Sequence, residues 1–144
     1  MNKLKIRIDS NSFAKHRDNI TGIICFDFNG KFFPEKNWND FIIVLVNNWI
    51  ESSYRIMSNF TISEDFYFMD GPFSIKIRKN DFGDCSVELI ENNVSLLMDF
   101  TINIEDAYRE ILQNLIFLSN YCKQQGWETE DVKKLHYLKD KLSR

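Results

Sequence analysis

The sequence predicts an α+β domain. Its core is a mainly antiparallel, curved sheet of about five to seven strands, with two long helices over one face and a short helix at the C-terminal end. Three observations predict it. Segments with period-two apolar alternation are joined by hairpin turn signals rather than crossovers. Two segments carry a helical apolar period over many turns. The order reads β–β–β–α, then β–β–β–β, then α–α. No repeat, low-complexity run or linker divides the 144 residues, so residues 1–144 form a single domain.

Taken in order, Leu4, Ile6 and Ile8 alternate with Lys3, Lys5 and Arg7, the pattern of a strand with one wet face. Ser10 to Asn19 is polar and reads as a loop. Ile20 to Phe28 is β-branched and aromatic, and runs through Asn29-Gly30 into Lys31-Phe32-Phe33. Asn-Gly tolerates positive φ at both turn positions and closes a two-residue hairpin, which Pro34 ends because it donates nothing to a ladder. A first helix is expected from about Trp38 to about Ser58, capped by Asn37. Trp38, Phe41, Ile42, Leu45, Trp49 and Ile56 share one face of it. Glu51 and Arg55 stand at i,i+4, a spacing suited to an ion pair. The run Phe41 to Val46 is apolar nearly all round, so this half is either buried on several sides or faces a partner.

Asp65 to Met69 reads as a strand, and Asp70-Gly71-Pro72 as a turn. Phe73, Ile75 and Ile77 alternate with Ser74, Lys76 and Arg78; after the loop at Asn80 to Asp84, Cys85, Val87 and Leu89 alternate with Ser86 and Glu88. Lys76 and Arg78 lie near Glu88 and Asp84 if these strands pair antiparallel. Val94, Leu96, Met98 and Phe100 form a further alternating set. Asn103 caps a second helix whose apolar face runs from Ile104 to Cys122, and Gly126 supplies its left-handed stop. Thr129 caps a third, with Glu130 and Asp131 suited to the dipole at that end.

Composition narrows the function. Lys+Arg 18 against Asp+Glu 21 gives a net charge of -3, which argues against a nucleic-acid binder. No apolar run approaches the ~20 residues of a membrane helix, and the N-terminal residues lack the apolar core of a signal peptide. Cys25, Cys85 and Cys122 are an odd, widely spaced set with no CxxC pair, so they read as reduced core thiols of a cytoplasmic protein. The chain has no nucleophile elbow, no P-loop and no dinucleotide-binding turn. His16 and His136 are isolated, and Asp81 and Asp84 do not match a calcium loop, so neither a metal nor a cofactor is expected. Lys133, Lys134, Lys139, Lys141 and Arg144 form a basic cluster that reads as a solvated helix face or an anion site.

Two features remain as candidates for binding. Glu35, Asp40, Glu64, Asp65 and Asp70 fall at strand and helix ends, an acidic set suited to a basic protein partner if it converges. Phe32, Phe33, Trp38, Phe82 and Trp127 lie in or beside turns, where surplus aromatics mark a partner site if they stay exposed.

From Phe32-Phe33-Pro34-Glu35-Lys36-Asn37-Trp38 through the helix at Trp49 to Phe68-Met69-Asp70-Gly71-Pro72-Phe73, the chain resembles small uncharacterised bacterial α+β proteins, some of them immunity-type proteins of polymorphic toxin systems. The likeness covers about a third of the chain, from Asp27 to Arg78. It implies a cytoplasmic, non-enzymatic protein that binds another protein. The expected function is therefore a protein-binding module, in its specific form an immunity-like protein that neutralises a bacterial toxin. Two other readings stand beside it: a small-molecule, sugar-binding or hydrolytic domain using Asp27, Glu64 and Asp70, and a structural homodimer joined through the apolar collar around Val44.

Overall fold

Alternating apolar side chains and an Asn-Gly turn build the first sheet. The computed structural model describes residues 2–96 and 99–143. β1 (Lys5–His16) pairs antiparallel with β2 (Asn19–Phe28), which also carries β3 (Lys31–Phe33) and β4 (Asn39–Asp40). Asn29 and Gly30 take φ of 55° and 92°, the left-handed values the hairpin requires. The polar stretch from Ser10, expected as a loop, is instead the second half of β1. Pairing shifts register between Asp9 and Ala14. There Ser12 Oγ accepts the Ile23 amide at 2.8 Å and donates to Asp9 O at 2.5 Å, so a side chain supplies the bonds that the bulge removes from the ladder. The residues are polar because this is an edge strand with largely exposed side chains, not because the chain turns.

The second sheet follows α1 (Ile42–Met57). It comprises β5 (Ser63–Tyr67), β6 (Phe73–Lys79), β7 (Cys85–Glu91), β8 (Val94–Leu96) and β9 (Thr101–Ile102). The order is β5-β6-β7-β8, with β9 also on β7. Every ladder in both sheets is antiparallel, and Lys76 stands directly opposite Glu88. Met98, expected in the last strand, lies outside the described residues. The α+β class and antiparallel pairing hold, but the strands divide into a four-stranded and a five-stranded sheet. The division falls at α1, which touches β2 of one sheet and β5 of the other, as well as α2 (Ile104–Gln125) and α3 (Glu130–Leu142).

The N-terminal end of α1 differs from the expectation. Asn37 is not its cap, and the helix starts only at Ile42 with no side-chain cap. Asn39 and Asp40 are extended instead, because they pair with Ile23 and Gly22. The apolar collar is buried on several sides by the chain itself, and Val44 is half-buried beside Ile20, Thr129 and Asp131. α2 and α3 obey their signals: Asn103 Oδ1 accepts the Glu105 and Asp106 amides, Gly126 has φ 72°, and Thr129 Oγ1 accepts the Val132 amide.

Aromatic rings knit the sheets to α1. Trp49, 1% exposed, stacks on Phe26 with centroids 4.5 Å apart and meets Phe68 edge-on at 5.2 Å. Such pairs add roughly 0.5–1.5 kcal/mol each beyond their buried area. No helix among the described residues is long and apolar enough to cross a membrane.

Candidate functional site

The outer edge of β5 and the helix α1 enclose a cleft. β5 ends the second sheet, and the C-terminal half of α1 runs beside its outer edge. The space between them is a cleft of about 420 Å³. Its walls carry Glu51, Ser52 and Arg55 from the helix and Ser63, Glu64, Asp65 and Tyr67 from the strand. The Trp49 indole closes its floor, donating to Tyr67 O at 3.0 Å.

Charge in the cleft is organised by Arg55. Its Nη2 lies 2.7 Å from Glu64 Oε1 and 3.1 Å from Ser52 Oγ, and its Nε is 3.0 Å from the same carboxylate oxygen. Burial raises the Glu64 pKa, but the bonds from Arg55 and its neighbours outweigh that and hold it below the usual carboxylate range. The same bond to Glu64 raises the Arg55 pKa. The expected Glu51–Arg55 helix pair is replaced: Arg55 pairs across to Glu64, and Glu51 pairs with Lys134 of α3 at 2.8 Å. A partner on a neighbouring element competed successfully with one a turn away.

A second, apolar groove of about 550 Å³ adjoins the cleft, sharing Glu51 and Arg55 with it. Tyr54, Phe60, Leu138 and Leu142 line it. Phe60 is 73% exposed and Ile62 62%, and along β5 and just past it Tyr67 and Met69 are 60% and 54% exposed. Phe60 lines the apolar groove and Tyr67 the cleft, while the alternation of the strand sets Ile62 on the face opposite Tyr67 and Met69.

The expected site residues separate into three groups. Glu64 and Asp65 come together in the cleft. Asp40 does not belong to any exterior surface, being 2% exposed. Its Oδ1 accepts the Phe41 amide at 2.6 Å; its Oδ2 accepts Trp38 Nε1 at 2.9 Å and the amides of Met69 and Asp70 at 3.1 and 3.0 Å. Asp40 thus ties β4 to the turn after β5, and the apolar partners of Trp38 include Phe68 and Phe73. Glu35 and Asp70 are exposed, on the β3–β4 connection and the β5–β6 turn. Among the aromatics, Phe33 is buried, Trp38 and Phe32 are half-buried, and Lys36 covers the Phe32 ring at 5.8 Å. Trp127 packs on Tyr121, leaving Phe82 as an exposed ring on its own loop.

The exposure of Tyr67 and Met69 was missed, although one signal pointed to it. Phe66-Tyr67-Phe68-Met69 is apolar on both faces of an alternating strand, so burying Phe66 and Phe68 necessarily turns Tyr67 and Met69 outward.

Other candidates resolve into structural contacts. Asp27 accepts the Gly30 amide at 2.7 Å and holds the β2–β3 turn; it shares no cleft with Glu64, and Asp70 does not line that cleft either. His136 Nδ1 and the buried Ser119 Oγ share a 2.5 Å hydrogen bond that links α3 to α2. The basic cluster is spread over contacts: Lys133 with Glu130, Lys134 with Glu51, Lys139 with Asn120, and Lys141 over the Tyr137 ring. Arg144 lies outside the described residues. Cys25, Cys85 and Cys122 are buried free thiols; burial pushes Cys25 and Cys122 up to about 11. No group of three or more His, Cys, Asp or Glu positioned for a metal ion occurs among the described residues.

These elements define the class of the protein as an α+β domain of two antiparallel sheets joined through a central helix. No protein-family model, curated protein or solved structure matches the chain.

Proposed function

We propose that the protein is a binding module for another protein, and that its contact surface is the cleft and the adjoining groove at the junction of α1 and β5. The observation that carries this reading is that Phe60 and Tyr67, each more than half exposed, line two adjoining depressions that share Glu51 and Arg55. Large apolar side chains grouped with a polar rim are the composition of interface centres. Among the acidic side chains of the cleft, Glu51 and Glu64 are paired with Lys134 and Arg55, and Asp65 is the one that favours a partner presenting a basic group there. The resemblance to immunity-type proteins supports a toxin as that partner, and the product of an adjacent gene is the first candidate.

Calorimetry with that candidate tests the reading. The double variant Phe60→Ala/Tyr67→Ala is expected to keep the native melting curve, because both rings face solvent, and to weaken binding by at least about tenfold. A complex with unchanged affinity for the double variant, or no complex with the candidate, would count against it.

A further inference from the structure

The outer strand of the second sheet has a free hydrogen-bonding edge that opens into the cleft. Lys79 N donates to Ile62 O at 2.7 Å, and Phe68 N donates to Phe73 O at 3.0 Å. With the register Glu64↔Ile77 and Phe66↔Ile75, the even-numbered positions from Ile62 to Phe68 bond to β6. The backbone N–H and C=O groups of Ser63, Asp65 and Tyr67 therefore point away from the sheet. One of them is used: Tyr67 O accepts the Trp49 indole. The rest face the cleft, over roughly 13 Å of strand at ~3.3 Å per residue. An open edge of this kind pairs readily with an added strand, and proteins usually blunt it with proline, a bulge or a covering element. Here α1 stands beside the edge but leaves a gap of about 420 Å³, within the ~300–1,000 Å³ span of built ligand sites.

Resting on the binding reading above, we infer that the partner supplies an extended segment that adds to β5 as a further strand, and that this segment places a Lys or Arg opposite Asp65. The edge provides the mode of binding, and charge selects the occupant. Glu51 and Glu64 are engaged by Lys134 and Arg55, whereas Asp65, with Lys76 opposite it on β6, makes no ion pair among the described residues and has its other side open to the cleft. Asp65 and Tyr67 share the outer face of the strand, so a cation opposite Asp65 also reaches the half-exposed Tyr67 ring. The same charge disfavours a second copy of this chain: a two-fold β5–β5 ladder centred on Asp65 would set like charges directly opposite one another.

A random linear nonapeptide library displayed on phage, panned on the full chain with counter-selection on Asp65→Pro, tests this. Proline at an outward-facing edge position removes a donor without removing a bond to β6, and Asp65→Asn controls for charge. The expected result is enrichment of Lys- or Arg-bearing peptides that bind Asp65→Pro at least tenfold more weakly and slow hydrogen exchange at the amides of Ser63, Asp65 and Tyr67. Should Asp65→Pro fail to fold, the enriched peptide is N-methylated at alternate residues. One of the two methylation patterns then abolishes binding and the other does not. No enrichment over the counter-selection, equal loss with both methylation patterns, or a dimer held by this edge in light scattering would overturn the inference. The partner complex discriminates the two levels: binding that needs Phe60 and Tyr67 but ignores Asp65→Pro leaves the module reading standing and removes strand addition.

Discussion

Replacing Asp40 measures how much of the fold hangs on one buried carboxylate. In Asp40→Ala four donors lose their acceptor: Trp38 Nε1 and the amides of Phe41, Met69 and Asp70. Hydrogen bonds to a charged group contribute ~1.5–3 kcal/mol each. Met69 and Asp70 are exposed, so their amides regain water, and the loss falls mainly on the half-buried Trp38 indole and Phe41 amide. The expected destabilisation is about 3–5 kcal/mol. Asp40→Asn is milder. An amide oxygen at Oδ2 keeps three of the bonds, but the amide nitrogen then faces the Phe41 N–H, which sits 2.6 Å from Oδ1. One charge-assisted bond is lost, about 2 kcal/mol. Urea unfolding followed by tryptophan fluorescence reads both. With a slope near 2 kcal/mol/M, the midpoint should fall by about 1 M for Asn and about 2 M for Ala, at constant slope. An Ala variant within 0.5 kcal/mol of the parent, or an Asn variant as damaged as the Ala variant, would refute the reasoning.

Three further outcomes follow from other contacts. A Cβ at Gly22 would stand 2.6 Å from Phe13 Cδ1, so Gly22→Ala should cost ~1–3 kcal/mol by crowding, and Phe13→Ala should relieve part of that cost in the double variant, as a thermal-melt cycle would reveal. Burial, then Lys123 and Lys139, hold the His136 imidazole below its ordinary 6.5. Its contribution is thus complete above that value and is lost as pH falls through the lower folded value; stability curves of the parent and His136→Gln should converge or cross on acidification, whereas a pH-independent gap would contradict this. With thiols near 11, Cys25 and Cys122 should react with a disulfide reagent roughly 100-fold more slowly in the native state than an ordinary thiol, and all three cysteines should titrate promptly in denaturant.

Much of the local structure was legible because its causes are local. The Asn29-Gly30 hairpin, the Asn103 and Thr129 caps and the Gly126 stop depend on residues within a few positions of each other, and all appear as read. Asn37 misled because Asp40, three residues on, completes a capping pattern in sequence; in the fold its carboxylate is drawn to amides 29 and 30 residues away. The polar half of β1 misled in the other direction, since composition reports exposure and an edge strand is as exposed as a loop.

The candidate surface was legible only in part. Glu64 and Asp65 were named, but their company was not: Arg55 reaches Glu64 from α1, and Lys134 reaches Glu51 from α3. The sequence by itself determined the α+β class, the antiparallel pairing, the caps of α2 and α3 and the stop of α2, because propensity, turn chemistry and apolar period act over a few residues. Only the tertiary structure decided that the strands divide into two sheets, that Asp40 is interior, and that β5 leaves its outer edge beside a helix with a gap between them. Those depend on which distant elements meet, and such meetings are set by packing the whole core at once rather than by any window of the chain.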